Sequence, residues 1–248
     1  MDETRRVRIV LQARTTSQRL PGKVLLPLGG IPLAILCAKR LGNAGCEVVL
    51  ATSSDATDDV LAWRAERVGV AVCRGSLDDV LSRFGTAIND LHDDSIVVRA
   101  TADNPVPDGS FVNAMLEKFR SSDLDFLGTE SPADGLPYGL SAEVFRAGLI
   151  RERLRVSRPS SAEREHVTVA LRGASPRSGL LQPEDLLQGD HSHMRCTIDT
   201  LDDYLQMSRV FDRCGDPIGT SWKQILESVR GGRDGTTRSA PRTPLTDA

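Results

Sequence analysis

Short apolar runs alternate with amphipathic stretches through the first half of the chain. Residues 7–11 (VRIVL), 47–51 (EVVLA), 70–73 and 95–100 (SIVVRA) are apolar runs of strand length bounded by polar or glycine-containing segments. Between them, residues 31–41, 55–68 and 78–90 carry apolar positions at helical spacing. Pro32 stands where a first helical turn tolerates proline. Acidic residues open the next two helices, where the helix dipole favours them, and Asp78 and Asp79 are explained by that position. Asp108 is placed to cap a helix over 109–120. This alternation predicts an α/β fold with a mainly parallel, Rossmann-like sheet flanked by helices. Functional sites in such sheets lie beyond the carboxyl ends of the strands. Two polar loops fall there: 12–22 after the first strand, and 101–105 after the strand at 95–100.

The second half is less regular. Strands are expected at 124–127 and 140–145, with a helix from there to about residue 155. A polar break at 157–161 precedes a helical pattern over 162–172. Residues 195–199 (RCTID) read as a strand, 200–213 as an amphipathic helix and 221–229 as a last helix. Residues 231–248 are rich in Gly, Thr, Arg and Pro with almost no core-forming side chains, and read as a disordered tail. The remainder, 1–230, reads as a single domain with halves at about 7–120 and 121–230.

Composition narrows the function classes. The 248 residues are 40% hydrophobic and 26% charged with a net charge of −3, so no global basic field points to nucleic acid. Aromatics are only 4%, which argues against stacking platforms for a base polymer. No apolar run reaches the roughly 20 residues of a membrane span, and the charged N-terminus has no apolar segment of a signal peptide. Cys37, Cys46, Cys73, Cys196 and Cys214 form no CxxC pair; reduced cytoplasmic thiols packed in the fold are expected rather than disulfides or zinc. His92, His191 and His193 show no metal-ligand spacing and read as surface residues. Trp63 reads as a core or interface residue.

The loop after the first strand carries the chemistry. Residues 13–23 hold Arg14, Arg19 and Lys23 together with Thr15, Thr16 and Ser17. A triphosphate needs several donors and positive charges at short range; Arg supplies a planar fork and Lys a point charge. The loop is neither a GxxxxGK[ST] nor a GxGxxG motif. On the residues alone, a solvated turn with scattered charge would also account for it.

The order of residues is more specific. Gln12-Ala13-Arg14, Ser17 and Arg19-Leu20-Pro21-Gly22-Lys23 resemble the N-terminal signature of the cytidylyltransferases, closest to the spore-coat-polysaccharide branch beside the KDO and acylneuraminate enzymes. Further segments follow in order: Cys73-Arg74-Gly75-Ser76 with Asp78-Asp79-Val80-Leu81, Arg99-Ala100-Thr101-Ala102-Asp103-Asn104-Pro105, Glu163-Arg164-Glu165-His166-Val167-Thr168, and Thr197-Ile198-Asp199-Thr200. The resemblance spans about residues 7–213. It departs from the family pattern at Thr16, where the family has glycine, and at Ser141, where it has aspartate.

The resemblance implies a nucleotide-diphospho-sugar-transferase type of fold and transfer of CMP from CTP to an anionic acceptor, a sugar acid or a phosphate or phosphonate metabolite, with release of pyrophosphate. It implies a homodimer, with no nucleic acid or membrane partner. It assigns Ala13, Arg14, Ser17, Arg19, Lys23, Arg74, Gly75, Ser76 and Thr101 to the nucleotide, and Mg²⁺ to Asp103 and Asp199. Arg14, Lys23, Asp103 and Asp199 are then the catalytic set. Two carboxylates at strand ends suit Mg²⁺, which binds one or two carboxylates plus phosphates and water. Taken alone, Asp199 could equally cap the following helix, and Asp103 could serve a proline turn. Arg164 and His166 are candidates for the acceptor's negative group. A sugar-1-phosphate nucleotidyltransferase using another nucleotide, and a non-catalytic nucleotide-binding subunit, are the competing readings.

Overall fold

The computed structural model describes residues 6–130, 134–155, 164, 167–172, 177–182 and 186–231. Strand β1 (Val7–Gln12) leads through the basic loop into a small hairpin, β2 (Pro27–Leu28) and β3 (Ile31–Pro32), and then α1 (Leu33–Leu41). Next come β4 (Glu47–Ser53), α2 (Asp59–Arg67), β5 (Ala71–Gly75), α3 (Val80–Ala87), β6 (Ile96–Thr101) and α4 (Gly109–Arg120). The rest of the chain contributes β7 (Phe126–Gly128), β8 (Glu143–Arg146), α5 (Ala147–Arg155), α6 (Val167–Arg172), β9 (Ser178–Leu180), α7 (Leu201–Phe211) and α8 (Trp222–Gly231).

The main sheet has seven strands in the order β5-β4-β1-β6-β8-β7-β9. β1 pairs in parallel with β4 and β6, and β4 with β5. β8 enters antiparallel against β6 and β7, while β7 and β9 are parallel. The central strands are apolar on both sides because helices cover both faces. Ile9 and Leu11 of β1, Leu50 of β4 and Val98 of β6 pack on one face with α1, α4, α7 and α8. Val10, Val49 and Val97 turn to the other, against α3, α5 and α6. The carboxyl ends of β1, β4, β5 and β6 therefore open on the same edge of the sheet.

That edge is braced from below. The Arg40 side chain is fully buried and donates to the carbonyls of Pro105 and Val106 on one side and of Pro217 and Thr220 on the other. It ties the loop after β6 to the segment before α8. Burial lowers the Arg40 pKa, against the pull of Asp108. Asp108 caps α4 through the amide of Phe111, as expected, and its other oxygen accepts from Trp222 N at 2.9 Å.

Several expectations change. Residues 195–199 form no strand, only a segment with a single bridge, Tyr138 to Arg195. Its hydrogen bonds go to two separate places, Cys196 N to Tyr138 O and Ile198 N to Asp103 O, so no ladder can propagate. The first helix starts at Leu33, because Ile31 and Pro32 pair with the preceding strand. Trp63 is not core: it is exposed on α2, beside Arg67. His191 is not a surface residue but buried, its Nε2 2.9 Å from Gln188 O. The five cysteines are free thiols, and burial raises the pKa of Cys37, Cys46, Cys73 and Cys214. Among the described residues no helix is long and apolar enough to cross a membrane. The break at 157–161, and the proposed tail from residue 232 onward, lie outside the described residues.

Candidate active site

The basic loop is held at both ends. Ala13 N bonds to Ala51 O at 3.2 Å and is buried beside β4. Gly22 sits at φ 69°, a left-handed conformation that suits glycine, and its N–H closes the loop on Thr15 O at 2.8 Å. The 3₁₀ turn Lys23–Leu25 follows directly and turns Lys23 inward.

A residue without a sequence signal secures the middle of the loop. Asp58, fully buried ahead of α2, accepts from Thr15 N at 2.8 Å and Thr15 Oγ1 at 2.7 Å through one oxygen. Its other oxygen accepts from Thr52 Oγ1, Ser53 N and Ser53 Oγ at the end of β4. Burial works to raise this carboxyl, but the hydrogen bonds from Ser53 and Thr15 outweigh it, and the pKa is lowered. In the sequence Asp58 is one acidic residue among several in an acidic first turn, which hides it.

Lys23, Asp103 and Asp199 converge. The Lys23 ammonium lies 2.9 Å from Asp103 Oδ2, 3.1 Å from Asp199 Oδ1 and 2.7 Å from Ile198 O. Arg19 Nη2 adds a contact to Asp199 Oδ1 at 2.9 Å, and Arg195 Nη2 reaches Asp199 Oδ2 at 3.0 Å. Asp199 does not cap α7; Thr200 does, in a capping box with Asp203. Asp203 also accepts from Asp199 N and pairs with Arg195 Nε at 2.7 Å, so it orders the segment that carries Asp199. Burial works to raise the Asp203 carboxyl, yet Arg195 and the amides of Asp199 and Thr200 together hold it down at about 2. A threonine followed three residues later by an acid was the readable signal for this box. Gly139 lets the segment pass: it has φ 98°, and a Cβ there would stand 2.5 Å from Thr197 N.

Two open cavities meet at this cluster. One, of about 520 Å³, is lined by Ala13, Arg14, Ser17, Arg19 and Lys23 of the basic loop and by Thr101. The other, of about 530 Å³, lies over β6 and β8 and is mainly polar, with Arg99, Glu143, Tyr138 and Arg172 in its wall. Arg19, Thr101, Asp103 and Asp199 line both. In the second cavity Arg99 donates to Glu143 at 3.1 Å and to Gln12 at 3.2 Å, while Arg172 pairs with Glu130 at 3.1 Å. Ser141 Oγ accepts from Asn104 Nδ2, which also donates to Thr101 Oγ1, both at 3.0 Å. Glu143 and Arg172 carry no assignment from sequence, because residues far apart in the chain meet only once β8 is inserted beside β6; Arg195 and Asp203 also carry none, although the capping box marks Asp203 locally.

Not every expected residue reaches the first cavity. Arg74 donates to Ser53 O and Asp55 O and pairs with Asp59 at 2.6 Å. Gly75 O accepts from Ser54 N, and Ser76 O from Arg83 Nη1. These three lie at the end of β5, outside the lining of either cavity. Arg164 pairs with Asp79, the cap of α3, and His166 lies outside the described residues. The Thr16 hydroxyl oxygen is buried with no hydrogen-bond partner.

Only two carboxylates converge, and no group of three or more acidic, His or Cys side chains suited to a metal occurs among the described residues. The pair fits a hard dication completed by substrate phosphates and water better than a closed protein cage. Two carboxylate oxygens meeting around one ammonium mark this as a point built for a cation.

A sheet edge with a cation-rich cavity, a carboxylate pair at its seam and a second polar cavity beyond defines a nucleotidyltransferase. The profile of the cytidylyltransferase family matches residues 8–188, and the chain belongs to that family. It is similar to the spore coat polysaccharide biosynthesis protein SpsF of Bacillus subtilis, 29% identical over 236 residues, covering 92% of this chain and 95% of that protein. Among solved structures it is similar to a cytidylyltransferase from Leptospira borgpetersenii, with a TM-score of 0.82 and 26% identity over 96% of this chain and all of that one. It shares its fold with CMP:2-keto-3-deoxy-manno-octonic acid synthetase complexed with CTP, with a TM-score of 0.59 and 17% identity over 83% of this chain and 98% of the other.

Proposed function

We propose that the enzyme transfers CMP from CTP to an anionic, hydroxyl-rich acceptor, a sugar acid or a phosphate or phosphonate metabolite, and that the two cavities are its nucleotide and acceptor halves. The observation that carries this reading is their shared wall. Two cavities bordered in common by Arg19, Thr101, Asp103 and Asp199 let two substrates approach one point from opposite sides.

An acceptor oxygen then attacks the α-phosphorus, the bond to the β-phosphate breaks, and pyrophosphate leaves. Arg14, Arg19 and Lys23 bind the triphosphate and neutralise charge on the leaving pyrophosphate, with Ala13, Ser17 and Thr101 lining its cavity. Asp103 and Asp199 would hold Mg²⁺, which supplies charge neutralisation at the phosphates and orients them for in-line attack. Arg99, fixed between Gln12 and Glu143, lies in the wall of the acceptor cavity and orients hydrogen-bond donors there. Ser141, standing where the family has aspartate, fixes Asn104 instead of adding negative charge, which favours a more anionic acceptor. Arg74 and Gly75, outside both cavities, brace the turn after β4 that leads to Asp58.

Pyrophosphate release with each nucleoside triphosphate over a panel of acidic acceptors tests the reading. Release is expected with CTP; release with UTP or TTP but not CTP would overturn it. In Asp103→Ala, turnover is expected to vanish while CTP binding without Mg²⁺ survives, and full activity there would remove the metal assignment.

A further inference from the structure

Lys23 is engaged more completely than a phosphate-binding lysine needs to be. An ammonium group has three N–H donors. Those of Lys23 are taken by Asp103 Oδ2, Asp199 Oδ1 and Ile198 O, and its side chain is only 9% exposed. Seated there, it cannot donate to a phosphate without giving up one of these partners. The two carboxylates it bridges are also those of the proposed Mg²⁺ site. Two cations cannot share that point without strong repulsion. The neighbouring guanidiniums are placed differently. Arg195 is fixed by Asp203 and lies over the Tyr138 ring at 4.8 Å, on the far oxygen of Asp199. Arg19 is 64% exposed and, among the described residues, makes its ion pair with Asp199 only.

We infer that Lys23 is a resident counter-ion, and that its ammonium and the divalent metal take turns between Asp103 and Asp199. Metal entry releases the lysine, and the released lysine is the one that grips the triphosphate. This rests on the reading of the carboxylates as the metal site. It gives Lys23 effects of opposite sign: the residue opposes metal binding in the free enzyme and favours nucleotide binding in the loaded one. A lysine that only grips phosphate would leave metal binding to the free enzyme unchanged. A lysine that only supports the fold would weaken metal binding when replaced.

Titration of the full chain with Mn²⁺ alone, followed by electron paramagnetic resonance, separates these cases. Lys23→Met is expected to bind Mn²⁺ at least roughly tenfold more tightly than the wild type, because a competing like charge is removed, and to bind CTP more weakly. Equal or weaker Mn²⁺ binding in Lys23→Met overturns the exchange. Asp103→Asn is the control: if it binds Mn²⁺ in the presence of CTP as the wild type does, the metal site itself is misassigned and the inference falls with it. A second measurement needs no substitution at Lys23. Reductive methylation of wild-type Lys23, read by peptide mass spectrometry, is expected to speed up when Mn²⁺ saturates the protein and to slow again when CTP is added. A rate unchanged by saturating Mn²⁺ overturns the proposal.

Discussion

Replacing Asp58 by asparagine tests how the nucleotide loop is held. The carboxylate accepts from two backbone amides, Thr15 N and Ser53 N, and from the hydroxyls of Thr15, Thr52 and Ser53. Asparagine keeps one acceptor oxygen and gains an NH₂ that can only donate. If its oxygen faces Thr15, the NH₂ points at Ser53 N–H; turned over, it points at Thr15 N–H. The hydroxyls can rotate to accept, but one backbone amide is orphaned in either orientation. An unsatisfied buried donor costs about 1–3 kcal/mol, and charge-assisted bonds are lost as well. The expected loss of stability is therefore about 2–3 kcal/mol, measured by urea unfolding at pH 7. Because the loop carries Arg14 and Ser17 on either side of Thr15, CTP affinity by calorimetry should fall as well, by roughly tenfold, about 1.4 kcal/mol. A variant that unfolds within about 0.5 kcal/mol of wild type and binds CTP unchanged would refute the anchoring role.

Two further outcomes follow from the segment that carries Asp199. Gly139→Ala sets a Cβ against Thr197 N in a left-handed conformation, so a loss of about 3 kcal/mol in thermal unfolding is expected, with kcat falling more than CTP affinity; a variant of wild-type stability would show that the segment passes Gly139 more loosely than described. Asp203 has a folded pKa of about 2, below its ordinary value of 3.8, so its stabilisation is fully present above about pH 3.8 and is lost as pH falls toward 2. Asp203→Asn should cost about 2 kcal/mol at neutral pH, and the gap to wild type should close as unfolding is followed down to pH 2; a gap that persists there would refute the linkage.

Much of the architecture was legible because the central strands are apolar on both faces and strand alternates with helix. The basic loop was legible because its residue order is dense and local. What was hidden depends on contacts between distant residues. The stretch 195–199 has the composition of a strand, but its partners are Tyr138 and the backbone of Asp103, and two unrelated partners do not make a ladder. Asp58 looks like any acid near a helix start until Thr15 and Ser53 fold onto it. The hairpin at Pro27–Pro32 is too short for periodicity to register. The acceptor cavity exists only once β8 reverses direction against β6, which no local pattern announces.

The meeting of Lys23 with its two carboxylates also sets an order of assembly. Lys23 and Asp103 are 80 positions apart, whereas Lys23 and Asp199 are 176 apart. During synthesis the strands β1, β4, β5 and β6 can pair, and the basic loop can close, while the partner that completes the cation point is still to be made. Chain-closure entropy and the close fit of the segment against Gly139 put that last contact late in folding as well. Recovery of catalysis after refolding should therefore lag behind recovery of helix and sheet, which makes turnover a report on the final docking of a single segment.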